Sequence, residues 1–261
     1  MMRFWFSTQR LLTALCCFLS IFLANSCISS EGFGTRPRDD FESLWRTIDR
    51  HYCFFDFKHK EYGLDWNEVH ERYRKQISDS MSPQALFQVL GKMCNELRDG
   101  HVNLWSPQNT ARYTRWYEAY PVNFSDSLLR RALGSSDEYR LASGMQYKIF
   151  DDNVGYLRCA SFDMALGAGN LHEIMRYLST CDGLIVDVRN NGGGYLTSAE
   201  TLAAVFTNEE KVVGYISHKT GPGHSDFSTP KPIVLQPGKG LRWQKPVVVL
   251  ANRRTYSAAN A

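Results

Sequence analysis

Three short stretches hold the residue types that could do chemistry: the glycine run Gly192, Gly193 and Gly194, the C-terminal serine Ser257, and His101 in a turn. The glycines follow the apolar run Leu184, Ile185, Val186, Asp187 and Val188, which reads as a buried strand. Without a Cβ the backbone can turn sharply there and approach a ligand closely. Thr197 and Glu200 have capping-box spacing, which predicts that a helix starts just after the glycines. Amide N–H groups beside a helix N-terminus favour negative charge. Two chemistries fit, cradling a phosphate or holding an oxyanion during acyl transfer, and a plain strand-to-helix turn is the structural alternative.

Ser257 follows a second apolar run, residues 246–251, and precedes Ala258 and Ala259. Taken alone it reads as a helix N-cap. Set at the C-terminal edge of a sheet beside the glycine turn, its Oγ could act as a nucleophile. The N–H of Ala258 would then be one oxyanion donor, and that of Gly193 or Gly194 the second. His101, in the segment LRDGHV, reads alone as a polar surface residue. The remaining histidines and cysteines show no metal-ligand spacing, and no metal or organic cofactor is implied.

The elements that must position these residues are legible in outline. Phe41, Leu44, Trp45 and Ile48 form one apolar stripe. Asp65 caps a second helix with Trp66, Val69, Tyr73 and Ile77 on one face, and Ser82–Pro83 opens a third with Leu86, Leu90, Met93 and Leu97. Gly100 is expected to end that helix as a left-handed cap. Residues 39–102 therefore read as a helical cap and 103–144 as an irregular, β-containing connector. Residues 145–261 read as an α/β core with a largely parallel sheet. That core opens with a hairpin around Asp151, Asp152 and Asn153, continues with a helix capped by Asn170, and includes a strand at 246–251 buried on both faces. Residues 218–229 read as a polar surface loop near the site.

The chain has 261 residues and a formal net charge of +3, two of its positive charges being Arg3 and Arg10 at the start. Such a balance offers no electrostatic basis for binding nucleic acid. The apolar run 11–24 behind those arginines has the form of a signal peptide, residues 1–26. It ends at Leu23, Ala24, Asn25, Ser26 and Cys27, which resembles the lipobox of bacterial lipoproteins. Cys27 would carry the lipid anchor, and residues 27–38 would tether the folded part to a membrane. The expectation is an exported protein of the cell envelope. Cys53, Cys94, Cys159 and Cys181 read as free thiols.

DVRNNGGG followed by VVVLANRRTYSAAN resembles the tail-specific (C-terminal processing) serine peptidase family. FESLWRTIDRHYCFF, LDWNEVHERYR and LRDGHV resemble its branch related to tricorn protease and the interphotoreceptor retinoid-binding repeats. The resemblance implies a crotonase-like (ClpP/crotonase type) core under an N-terminal helical cap. It implies a serine endopeptidase that cleaves polypeptides through an acyl-enzyme, with Ser257 as nucleophile, His101 as general base and Gly193 or Gly194 in the oxyanion hole. Members have a further segment after the nucleophile that carries a Lys or an acidic third residue, whereas this sequence stops four residues after Ser257. A core incomplete at the C-terminus, inactive alone, is the corresponding expectation. The rivals are a non-catalytic peptide- or lipid-binding module on the same fold, and a phosphate or thioester site on the glycines.

Overall fold

A computed structural model describes residues 36–260. The signal peptide, Cys27 and most of the tether lie outside the described residues. Four helices open the described chain: α1 (Pro37–His51), α2 (Phe55–Tyr62), α3 (Trp66–Arg74) and α4 (Pro83–Asn95). In α1 a proline stands in the first turn, Asp39 and Asp40 lie at the positive end and Arg50 and His51 at the negative end, as the helix dipole favours. Asp65 caps α3 by accepting from the N–H groups of Asn67 and Glu68, and Ser82 caps α4 through Ala85. The apolar stripes of α1, α3 and α4 converge on one core that includes Phe41, Trp66, Val69, Met93 and Leu97. Trp45 and Trp66 stack across it, and each indole N–H donates to the other's backbone carbonyl. Helix α2 has almost no apolar stripe, buries only Phe55, and gives no periodic signal in sequence.

Gly100 is not the left-handed stop expected of it. Arg98 takes the positive φ, +47°, after α4 ends. Gly100 is required for another reason: a Cβ there would lie 2.9 Å from Trp116 Nε1 and 3.2 Å from the Tyr256 hydroxyl. The glycine lets two aromatic side chains close over the turn that carries His101.

The stretch 103–144 begins with the hairpin β1 (Asn103–Trp105) and β2 (Thr110–Arg112), which lies on α4. Two short helices follow, α5 (Arg115–Glu118) and α6 (Asp126–Leu133). Beyond them is a five-stranded sheet in the order β3 (Arg140–Ala142), β4 (Met145–Ile149), β5 (Val154–Arg158), β6 (Gly183–Asp187), β9 (Val247–Leu250). The expected hairpin is β4–β5. The sheet is mixed rather than largely parallel, because β3, β4 and β5 pair antiparallel and only β5–β6 and β6–β9 are parallel. Connections of two and four residues join the first strands, which forces antiparallel pairing, while helix α7 (Ala168–Leu178) provides the crossover from β5 to β6.

Three local expectations are corrected as well. Helix α7 starts at Ala168 with Gly167 at its N-cap, and the Asn170 side chain donates to Ser143 instead of capping. Helix α8 (Leu196–Ala203) has Tyr195 at its N-cap, with no side-chain cap from Thr197. Strand β9 is not buried on both faces: Val247, Val248 and Val249 are 41%, 58% and 61% exposed. It ends the sheet, with only β6 beside it among the described residues.

Strands β7 (Lys211–Ile216) and β8 (Lys231–Leu235) form a separate antiparallel ribbon. The loop between them packs on the helical cap: His224 Nε2 lies 2.9 Å from Asp49 Oδ1, and its ring stacks on Phe55. Among the described residues no helix is long and apolar enough to cross a membrane.

Candidate active site

Strand β6 delivers the glycine turn, and its last residue sets the direction in which the chain leaves the sheet. Asp187 is fully buried and accepts from Arg189 Nε at 2.9 Å, Arg189 Nη2 at 2.6 Å, the Arg189 backbone N–H at 2.9 Å and the Tyr156 hydroxyl at 2.6 Å. Arg158 adds a second cation 3.4 Å away, and both guanidinium groups face the Phe124 ring. Burial opposes the Asp187 charge, but the hydrogen bonds from Arg189 and Tyr156 outweigh it and hold the carboxyl below its ordinary range. A carboxylate with a lowered folded pKa stabilises the fold above its unfolded value near 3.9, and that stability is lost as pH falls through the folded value. Asp187→Asn would leave two arginines over one buried neutral amide. It is expected to cost about 3–5 kcal/mol in urea denaturation at pH 7 and to flatten the acid limb of the stability–pH curve.

Residues 188–194 are then stitched to residues 252–258. Asn190 and Asn252 form a reciprocal pair: the Asn190 N–H donates to Asn252 Oδ1 at 2.9 Å, and Asn252 Nδ2 donates to Asn190 Oδ1 at 2.7 Å. The Thr255 hydroxyl donates to the Val188 carbonyl at 2.8 Å, and the Tyr256 N–H donates to the Asn191 carbonyl at 2.9 Å. The two corners singled out in sequence therefore meet at the end of β6 and β9. Their closest approach is Gly193, where a Cβ would lie 2.7 Å from Ser257 Cβ and 2.8 Å from the Tyr256 carbonyl oxygen.

Ser257 sits at this contact with φ +56°, a conformation that costs an L-residue about 1–2 kcal/mol. It is exposed and opens a single 3-10 turn, Ser257–Ala259, rather than capping one. Strain of this kind at an exposed serine after a strand is the geometry that projects a hydroxyl away from a sheet. The Ala258 and Gly194 N–H groups have no acceptor within the described residues, whereas the Gly193 N–H donates to Asn191 Oδ1 at 2.9 Å. Asn191 is itself buried and held by a bond to the Cys159 carbonyl. Burial pushes the Cys159 thiol up to about 11, so it stays protonated beneath the loop.

His101 is brought to Tyr256, the neighbour of Ser257, and forms no hydrogen bond with Ser257 itself. Its Nδ1 lies 2.6 Å from the Tyr256 hydroxyl and 3.2 Å from Asp99 Oδ1, and its ring stacks on Tyr256 at 4.4 Å. Trp116 stacks on the other face of Tyr256, also at 4.4 Å. Asp99 and Tyr256 were not singled out in sequence. Asp99 lies two residues before His101, and only the fold sets Tyr256 beside both.

Comparison with known proteins bears on the family of the chain. The model of peptidase family S41 matches residues 153–261, and that of the tricorn protease C1 domain matches residues 34–95. A crystal structure of a candidate peptidase from Parabacteroides merdae is similar at 43% identity and TM-score 0.79, over 87% of this chain and 70% of that one. The chain belongs to peptidase family S41. It is a serine peptidase, a hydrolase of the tail-specific group. Mature CPAF, 13% identical with TM-score 0.59 over 86% of this chain and 80% of that one, shares the mixed α/β fold. In this S41 chain the family match covers the glycine turn, Ser257 and the sheet between them.

Proposed function

We propose that the chain hydrolyses peptide bonds of polypeptides through an acyl-enzyme on Ser257, within a crotonase-like core. The observation that carries the proposal is the left-handed Ser257 corner seated against Gly193, with unoccupied N–H groups on both loops. Ser257 Oγ attacks the scissile carbonyl carbon while His101 Nε2 accepts the hydroxyl proton. A C–O bond forms and the carbonyl electrons move onto oxygen. The N–H groups of Ala258 and Gly194 hold that oxyanion, and Gly193 keeps the space between them open. Collapse breaks the C–N bond, and the imidazolium returns its proton to the leaving amine. Water then repeats the sequence and frees Ser257. Among the described residues His101 Nε2 has no hydrogen-bond partner, and the reaction requires it to come within hydrogen-bond reach of Ser257 Oγ when substrate is bound.

A fluorophosphonate probe tests the assignment, because it phosphonylates only an activated serine. Mass spectrometry of the labelled protein is expected to place the adduct on Ser257. An adduct on another serine, or none on a folded protein that still cleaves peptide, would overturn it.

A further inference from the structure

The base needs a particular tautomer. For Nε2 to accept a proton from Ser257, the neutral ring must carry its hydrogen on Nδ1. What surrounds Nδ1 therefore decides whether His101 is a base or a bystander. We infer that Asp99 and Tyr256 are positioning residues that hold His101 in the Nδ1–H form. The inference rests on the acyl-enzyme reading for its catalytic consequence, but the tautomer itself is independent of that reading.

The contacts define the proton arrangement. Asp99 has a side chain only 9% exposed, against 57% for His101. Its Oδ2 accepts the Tyr52 hydroxyl at 2.9 Å, and its Oδ1 accepts the His101 backbone N–H at 2.8 Å. An ionised carboxylate can only accept hydrogen bonds. The Tyr256 hydroxyl, 3.4 Å from Oδ1, is therefore best satisfied by donating to it, which leaves the phenol oxygen to accept Nδ1–H at 2.6 Å. The reverse arrangement would have Tyr256 donate to a bare Nδ1 and would set the Nδ1 lone pair 3.2 Å from a carboxylate oxygen, two acceptors facing each other. Burial and the Asp99 charge push the Tyr256 phenol up to about 12, so it keeps its hydrogen throughout the neutral range. When His101 takes a proton from Ser257, the resulting imidazolium faces the carboxylate directly, and the charge pair stabilises it.

The rings fix the geometry. His101, Tyr256 and Trp116 form one stack with 4.4 Å steps and interplanar angles of 27° and 26°. Gly100 leaves room for Tyr256 and Trp116, since a Cβ would displace the Trp116 indole and crowd the Tyr256 hydroxyl. Because Tyr256 precedes Ser257 in the chain, the group that orients the base is attached to the nucleophile's own turn. Positioning of base and nucleophile is thereby coupled.

The test is 15N NMR of histidine-labelled protein together with steady-state kinetics. In the wild type, neutral His101 is expected to show a pyrrole-type Nδ1 and a pyridine-type Nε2. Asp99→Asn and Tyr256→Phe are each expected to move the ring toward the Nε2–H form and to lower kcat for a peptide by about 10²-fold or more, with KM within a factor of about three. Asp99→Glu should recover part of the loss. A wild-type ring in the Nε2–H form would overturn the inference, as would an Asp99→Asn protein that keeps both its tautomer and its kcat. If Asp99→Asn unfolds, Tyr256→Phe decides alone, since it removes one oxygen from a ring that stays stacked. Failure of the acyl-enzyme reading would appear separately, as a missing probe adduct on Ser257 with the Nδ1–H tautomer intact.

Discussion

Ser257→Ala is expected to lower kcat for peptide hydrolysis by about 10⁴–10⁶-fold while leaving the fold intact. The size follows from removing the only atom that can form the acyl bond. The oxyanion donors would remain and would give a residual rate above that of water. The fold should survive because alanine has the same Cβ as serine and inherits the same φ of +56°. Among the described residues Ser257 Oγ also has no hydrogen-bond partner whose loss would matter. A second variant separates chemistry from strain. Ser257→Gly should be equally inactive yet gain about 1 kcal/mol in a denaturant titration, since glycine adopts a left-handed φ at no steric cost. Loss of activity with gain of stability is the signature of strain held at a functional corner. An Ser257→Ala protein that still turned over peptide at more than a hundredth of the wild-type rate would remove Ser257 from the nucleophile's place.

The sequence made the parts of the site visible and left the connections between them hidden, for a physical reason. Leu184 and Val186 announce a buried strand because apolar runs have few other uses, and Gly193 announces a close approach because side-chain-free backbone is rarely needed elsewhere. The helices α1, α3 and α4 were legible from one-sided stripes with capping residues. Helix α2 was not, because it is held by Phe55 and by its Gly63 cap rather than by a stripe. Strand direction depends on how long each connection is and where it runs, which is why a run such as 145–158 could be read as a hairpin without revealing that β3 also joins antiparallel. Exposure of Val248 could not be read from composition, since an edge strand and a central one share the same residue types. The Asp99–His101–Tyr256 contact joins residues more than 150 positions apart. Gly100 was expected to end a helix, whereas its role is set by two aromatic rings from distant segments.

Gly194→Ala is expected to have the largest effect on stability of any single methyl added at this site, and its neighbours provide the controls. At Gly194 the new Cβ would lie 2.2 Å from the Phe162 carbonyl carbon and 2.4 Å from its oxygen, at a φ of +131° that side chains rarely adopt. Every atom it meets is backbone, so relief requires the two chains to separate. That would break the bonds from the Phe162 N–H to the Gly193 carbonyl and from the Tyr195 N–H to the Phe162 carbonyl, both 2.8 Å. Strain and lost hydrogen bonds together should cost about 3 kcal/mol or more, read as a lower denaturation midpoint. At Gly193 the φ of +96° is also strained, but the Cβ would press on Ser257 Cβ, and the loss should fall on kcat as well as on stability. At Gly192 no atom lies within 4 Å and φ is outside the left-handed region, so Gly192→Ala should change stability by less than about 0.5 kcal/mol. Of the three consecutive glycines the first is thus free to carry a side chain, while the other two are glycine for different reasons, Gly193 for its contact with Ser257 and Gly194 for its contact with the Phe162 backbone. Equal tolerance at all three positions would mean that the turn is not clamped between Phe162 and Ser257. The serine would then have lost the wall against which its hydroxyl is aimed.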